Sequence, residues 1–494
     1  MNSNQYILAI DQSTQGTKAL LFDEEGHLVH RSDRSHKQIV TEDGWVSHDL
    51  EEIYHNLIEV VKLVVEESGV DKQRIVGIGI SNQRETSAAW DKVSGKPLAE
   101  AIVWQCSRAN EICRKIEQLG LAEEVRQITG INLSPYFPAS KFAWLIENID
   151  LVAEKAKEDS LCLGTVDTYL LYRLTHGRSF KTDYSNASRT QLFNLKDLRW
   201  DKMLCETFAI PIHALAEVCD SNSLFGETDF EGYFEKTIPI HSILGDSHGA
   251  LFGQGCHKKG MIKSTYGTGS SVMMNIGDLA AISNHGVVTS IAWGMDGRIS
   301  YVLEGNINYT GAVITWMIDD LNLMVSSWES EAYAFKANPE DTSYLVPAFT
   351  GMGAPYWDSE AKGALVGITR KTKKAELIRA GLDSIAYQIV DIVHAMSRDA
   401  NISIEELRVD GGPTKNRYLM QLQSDLLGID VLVPEAEELS AIGVAYAAGL
   451  ALGVYSNQVF DNLQRRKFSS KMNMDKRENK IGGWHEAVSS VLKK

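Results

Sequence analysis

YILAIDQSTQGTKALLF (residues 6–22) and KGMIKSTYGTGSSVMMNIG (residues 259–277) follow one pattern. Each opens with an apolar run suited to a buried strand, passes through a short turn rich in Gly, Ser and Thr, and enters a second apolar run. Two such units about half a chain apart predict a duplicated α/β fold, with two lobes and a cleft between them. The plainer alternative is two unrelated hairpins in one large domain. Around the first unit lie the turn EEGH, the helical pattern LEEIYHNLIEVVKLVVEES (residues 50–68) and the strands IVGIGIS (75–81) and TSAAWD (86–91). The helical segment has apolar positions three and four apart. After the second unit come SIAWGM (290–295), ISYVLEG (299–305) and the long helical pattern AELIRAGLDSIAYQIVDIVHAMSRD (375–399).

The 494 residues are 44% hydrophobic and 23% charged, an ordinary globular composition that allows two large domains or three smaller ones. The formal charge of −16 argues against non-specific binding to nucleic acid or anionic membranes. It leaves nucleotides open, because a phosphate site needs only a local array of donors. Cys106, Cys113, Cys162, Cys205, Cys219 and Cys256 form no C-x-x-C pair and no zinc spacing, as expected of a reducing, cytoplasmic setting. The N-terminus meets Asp11 too early to hold a signal h-region. The apolar stretch AIGVAYAAGLALGVY (441–455) is shorter than the ~20 residues a bilayer span needs. Its Ala and Gly suit a buried helix in close contact with its neighbours.

Five segments carry chemistry. In the turn Asp11-Gln12-Ser13-Thr14-Gln15-Gly16-Thr17-Lys18, backbone N–H groups and hydroxyls can hold phosphate oxygens. Asp11, at the strand end, can bind Mg²⁺ directly or through water. Tyr266-Gly267-Thr268-Gly269-Ser270-Ser271 is the matching turn of the second half. In Val409-Asp410-Gly411-Gly412-Pro413-Thr414-Lys415-Asn416 a strand ends in two glycines before a helix, so a nucleotide can approach the backbone. Arg84 and Glu85, in Ser81–Thr86, can bind hydroxyls in complementary fashion, one donating and one accepting. Asp246, among small residues after IPIHSIL, can take the proton of an attacking hydroxyl in phosphoryl transfer. Each alone reads more simply as a turn, cap or surface ion pair. No G-x-x-x-x-G-K-[ST] occurs, which excludes a P-loop fold.

Taken together, IDQSTQGTKALLFD, GWVSHD, ISNQRET, AIVWQCSR, PYFPASKFAWL, GTVDTYLLYRLTHG, TDYSNASRTQLFN, YGTGSS, LVPAFTGMGAPYWD, RVDGGPTKN and LMQLQSDLLG resemble the FGGY carbohydrate kinase family, and within it the glycerol kinase branch. The resemblance runs nearly end to end. It implies an actin-like, ribonuclease-H-like duplicated fold with ATP and Mg²⁺ in the cleft. Residues 1–252 would form the lobe for acceptor and phosphates, and 253–494 the nucleotide lobe. It further implies Asp246 as general base and Asp11 as the metal-associated carboxylate. Arg84, Glu85, Trp104, Tyr136, Asp246, Ser247 and Ser271 would line the acceptor site. Thr14, Gln15, Thr17, Lys18, Thr268, Gly311, Thr315, Gly412 and Asn416 would hold ATP. The partner implied is a small polyol or sugar, with no nucleic acid or membrane partner, and the assembly a homodimer or homotetramer.

The chain departs from that branch in places. Ser247-His248 stands where the branch has Gln-Gln after the catalytic Asp, and Ser270-Ser271 stands where it has Cys-Phe. Losing the Gln and the Phe side chains predicts a larger, more polar acceptor pocket, fit for glycerol or a four- or five-carbon polyol. Segment 226–236 has neither the Arg-rich loop nor the phosphorylated His that regulate some members. Thr315 replaces a nucleotide-contacting Gln. A ketose kinase acting on a ribulose- or xylulose-like sugar, an actin-like ATPase without an acceptor and a binding-only pseudokinase are the competing readings. The QRET and WQCSR segments favour the polyol branch, Asp246 argues against the ATPase, and Asp11, Asp246, Arg84 and Glu85 together argue against the pseudokinase.

Overall fold

The computed structural model describes residues 5–493. A first sheet is built from β1 (Tyr6–Gln12), β2 (Gly16–Phe22), β3 (Leu28–Ser35), β4 (Ile75–Asn82), β5 (Gly226–Thr228) and β6 (Ile238–Gly245), in the order β5-β6-β4-β1-β2-β3. β1 and β2 form an antiparallel hairpin, β4 runs parallel to β1, and β6 runs parallel to β4. The near-continuous apolar runs in β1, β4 and β6 suit strands covered on both faces.

The second sheet repeats this plan. It comprises β7 (Ile262–Tyr266), β8 (Ser270–Gly277), β9 (Val288–Met295), β10 (Arg298–Ile307), β11 (Glu406–Asp410), β12 (Asp430–Pro434) and β13 (Arg465–Phe468), in the order β9-β10-β8-β7-β11-β12-β13. Again an antiparallel hairpin sits centrally, two parallel strands extend it on one side, and an antiparallel strand closes that edge. The difference lies on the other side, where the β9–β10 hairpin replaces the single strand β3. The two hairpin turns close alike: Ser13 N–H donates to Gly16 O at 2.8 Å, and Gly267 N–H to Gly269 O at 2.7 Å.

Helix α1 (Leu50–Ser68) covers one face of the first sheet. Asp49 caps it by accepting from Glu51 N–H at 2.8 Å, and Gly69 ends it at φ +67°. Helix α2 (Asp246–Gly253) starts where β6 stops. Helix α3 (Lys374–Ala400) runs through the core of the second lobe. Helix α4 (Leu439–Ala451) comes from the far end of the chain, yet its buried residues share a core with Ile7, Ala9, Leu20 and Leu244 of the first sheet and Met273, Ala292 and Val302 of the second. Small residues bring it this close: a Cβ on Gly443 would stand 1.9 Å from Gly249 O, and one on Gly79 would stand 2.3 Å from Val444 O. The Ala/Gly-rich stretch is therefore the helix that joins the lobes. No helix among the described residues is long and apolar enough to cross a membrane.

Candidate active site

Two cavities meet at Gly267 and Thr268. The first, about 640 Å³, lies in the second lobe. Thr268, Gly311, Thr315, Gly412 and Asn416 line it, and Ile314, Ile318, Leu382, Ile385 and Leu419 supply apolar walls that suit a purine base. Two helix starts open onto it, those of Gly311–Asp319 and Arg417–Leu427. The positive ends of their dipoles favour phosphate oxygens, although the first N–H groups already have partners: Gly311 donates to Gly267 O at 2.9 Å, Ala312 to Thr268 O at 3.1 Å and Arg417 to Glu331. Gly311 is required where it stands, since a Cβ there would meet Gly267 O at 2.7 Å. Asn416 caps the second helix through Leu419 N–H at 3.0 Å, and its amide donates to Ser330 Oγ at 3.2 Å.

The second cavity, about 530 Å³, lies between the lobes. Thr14, Arg84, Glu85, Trp104, Tyr136, Asp246, Ser247 and Ser271 all line it. The Trp104 and Tyr136 rings stand 5.4 Å apart, and the indole N–H donates to Thr14 Oγ1 at 3.0 Å. The buried Lys141 amine donates to the carbonyls of both Trp104, at 3.3 Å, and Tyr136, fixing the aromatic wall from behind. Burial pushes that amine down to about 7.

Arg84 lies inside a buried ionic network. Its two Nη atoms each stand 2.9 Å from a carboxylate oxygen of Glu304, a residue of β10 in the other lobe. Its Nε lies 3.2 Å from Asp246 Oδ1, an ion pair without hydrogen-bond geometry. Arg189 Nε donates to Glu85 Oε1 at 2.6 Å, and Arg189 Nη1 lies 2.9 Å from Glu304. Two guanidinium groups thus face three carboxylates, Glu85, Glu304 and Asp246, which leaves one formal negative charge. Glu85 adopts φ +60°, a left-handed conformation costly for a non-glycine residue and typical of functional positions.

Asp246 opens α2, and the network beneath it comes from the short helix Tyr184–Ala187. Gly245 N–H donates to Ser185 Oγ at 3.0 Å, and Ser185 Oγ donates to the capping carboxylate of Asp183 at 2.9 Å. Ser247 N–H donates to Asp246 Oδ1 at 2.6 Å. His248, by contrast, turns away: it is fully buried, lies 3.4 Å from Ser290 Oγ and is held neutral by burial and the Arg84 charge. The Ser271 hydroxyl donates to Glu304 at 3.4 Å.

The first Gly/Ser/Thr turn, residues 11–18, is arranged less simply. Gln15, Thr17 and Lys18 stand outside the linings of both cavities. Lys18 pairs at 2.7 Å with Glu438, the residue just before α4, and Arg31 pairs with the same carboxylate. Thr17 is fully buried, and its hydroxyl has no partner among the described residues. Asp11 is 7% exposed and its Oδ1 likewise has no partner. Burial pushes its carboxyl up to about 6; Lys18 opposes this, while Asp246 and Glu438 add to it. An under-neutralised carboxylate beside a cleft fits a divalent cation. Asp23, Glu25 and His27 also bring ligand atoms within 4.8 Å of one another, on an outer turn that lines neither cavity.

Sequence reasoning missed Arg189, Glu304, Lys141 and Glu438, and also Asn306 and Asn308, which line the inter-lobe cavity. Arg189 and Lys141 fall inside TDYSNASRTQLFN and PYFPASKFAWL without a role, and Glu304 is the penultimate residue of the apolar run ISYVLEG. Only the meeting of the lobes gives Glu304 its two arginine partners.

Duplicated actin-like sheets with paired cavities at their junction define a two-lobed phosphotransferase of the mixed α/β class. The family model "FGGY family of carbohydrate kinases, N-terminal domain" matches residues 6–253, and its C-terminal counterpart matches residues 262–452. The glycerol kinase of Bacillus subtilis (strain 168) is 43% identical over 493 residues, 99% of both chains. That of Caldanaerobacter subterraneus subsp. tengcongensis is 43% identical over 494, with the same coverage. The crystal structure of Plasmodium falciparum glycerol kinase with ADP superposes with a TM-score of 0.94 at 33% identity, covering 99% of each chain. A ligand-bound xylulose kinase from Lactobacillus acidophilus, at 20% identity and a TM-score of 0.88 over 98% of each chain, shares the fold. The chain belongs to the FGGY family of carbohydrate kinases, and is an ATP-dependent phosphotransferase of the glycerol kinase-like kind.

Proposed function

We propose that the chain transfers the γ-phosphoryl group of ATP to a hydroxyl of a neutral polyol, glycerol or a four- or five-carbon homologue. The observation that carries this reading is the position of Asp246. It lies in the inter-lobe cavity beside Arg84, and that cavity shares Gly267 and Thr268 with the 640 Å³ cavity of the second lobe. Residues 1–252 supply most of the acceptor side, and residues 253–494 the nucleotide side.

Asp246 takes the acceptor proton as the hydroxyl oxygen bonds to the γ-phosphorus, and the bond to the β,γ-bridging oxygen breaks to leave ADP. Arg84 keeps one N–H on each Nη for an acceptor oxygen, because Glu304 uses only one on each. Glu85 accepts from a second hydroxyl, and Trp104 with Tyr136 covers the carbon chain. Asp11 would hold Mg²⁺, which when bound neutralises charge on the phosphoryl oxygens. The backbone N–H groups of Thr268 and Gly269, which donate to no carbonyl among the described residues, bind the phosphates, and the dipole of the helix starting at Gly311 adds positive potential.

The test is ADP release with glycerol, erythritol, threitol, pentitols, ribulose and xylulose, with and without EDTA, beside Asp246→Asn. Acceptor-dependent, EDTA-sensitive release that the variant loses is the expected result. ATP hydrolysis indifferent to every acceptor would sink the reading.

A further inference from the structure

We infer that Asn306 and Asn308 form a second polar wall of the acceptor cavity, one that reads the distal hydroxyls of an acceptor longer than three carbons. This rests on the reading of the inter-lobe cavity as the acceptor site.

The strand β10 ends Leu303-Glu304-Gly305-Asn306-Ile307, and Asn308 follows it directly. Side chains alternate along a strand, so Glu304 and Asn306 share a face. Glu304 is used up by the two arginines. Asn306 and Asn308 are not: both line the cavity, and no side-chain hydrogen bond engages either amide among the described residues. Asn306 stands directly opposite Ser271 in the β8–β10 register. Directly opposed residues place their Cβ atoms roughly 4.5–5.5 Å apart, so hydroxyl and amide form one patch.

The chemistry of that patch selects its ligand. A primary amide offers two donors and a carbonyl acceptor, which matches a hydroxyl that both donates and accepts. The proximal part of the cavity, around Asp246, Arg84 and Glu85, already provides groups for the reacting hydroxyl and its neighbour. A three-carbon polyol held there leaves the two asparagines without a partner, whereas a fourth or fifth carbon brings hydroxyls to them. The single formal negative charge of the Arg84 network disfavours an aldonate or other anionic acceptor. The substrate class is therefore a neutral linear polyol, or the corresponding ketose, of four or five carbons.

The test measures kcat/KM for glycerol, erythritol, threitol, xylitol, ribitol, xylulose and gluconate with the full chain and with Asn306→Ala and Asn308→Ala. The readout is the ratio of the best longer acceptor to glycerol within one preparation, from which the folded fraction cancels. The wild-type ratio is expected to exceed ten, and each substitution to lower it tenfold or more. A wild-type preference for glycerol, or a parallel loss on every acceptor in the variants, overturns the subsite while leaving the kinase reading intact. Preference for gluconate overturns the assignment to neutral acceptors. Failure of the wild type to phosphorylate any acceptor overturns both.

Discussion

Arg84 and Glu304 come from different lobes and meet in a two-pronged ion pair, with both Nη–Oε distances at 2.9 Å and the carboxylate fully buried. The contact ties Arg84, proposed above to bind the acceptor, to the opposite sheet, so that in this reading acceptor geometry and lobe position are one variable. Glu304→Gln keeps the shape but leaves Arg84 and Arg189 undercompensated in a dry interior. Breaking a buried pair this way costs about 3–5 kcal/mol. Urea unfolding is expected to show that loss, and steady-state kinetics a raised KM for the acceptor with a smaller change in KM for ATP.

Asp246 lines the inter-lobe cavity without lining the cavity of the second lobe that is proposed to hold the nucleotide. Asp246→Asn is expected to lower kcat roughly 10²–10⁴-fold, the usual worth of a positioned general base. Calorimetric titration should find ATP affinity changed less than threefold. A variant with near-normal kcat would assign proton removal to another group.

The contact between α2 and α4 admits no side chain at Gly443, where a Cβ would stand 1.9 Å from Gly249 O. Gly443→Ala must push the helices apart, at a cost of roughly 1–3 kcal/mol or more. Because Asp246 opens α2, kcat should fall with stability. Gly482→Ala is the control: it lies inside the helix Met474–Ser489 with nothing within 4 Å of the new methyl. There a gain of about 0.5–1 kcal/mol is expected.

His48 is fully buried, packs edge-on against His36 with ring centres 4.6 Å apart, and is pushed by burial down to about 3 from 6.5. The folded chain keeps it neutral while the unfolded chain takes up a proton as pH falls below 6.5. Its contribution is therefore complete above pH 6.5 and is lost progressively as pH falls toward about 3. Unfolding free energy measured between pH 7 and 5 should fall more steeply in the wild type than in His48→Gln. Equal slopes would show that His48 is protonated in the fold.

Much of this was legible in the sequence because the signals were local. The two strand–turn–strand units, the 50–68 helix and the residues Arg84, Glu85 and Asp246 each belong to a short segment whose types and order carry the information, whereas Trp104, Tyr136, Ser247 and Ser271 are legible as cavity residues only through the family resemblance. What stayed hidden depends on the chain returning to itself. Glu304 reads as a charge inside an apolar strand until β10 faces Arg84, 220 positions earlier. Glu438 reads as one more acidic surface residue until it meets Lys18 and Arg31. The pair Ser247-His248 read as one substitution, yet helical geometry sends the serine into the cavity and buries the histidine away from it.

Helix α4 is made late and needed early. Residues 439–451 seal the face of the first sheet that Ile7, Ala9 and Leu244 present, so the N-terminal lobe remains unfinished until the ribosome has passed position 451. Until then that lobe carries an open apolar surface, the state in which large proteins aggregate or recruit chaperones. The two halves therefore cannot be separated as working parts: cut at the midpoint, the first would lose its cover and the second would expose the helix that provides it.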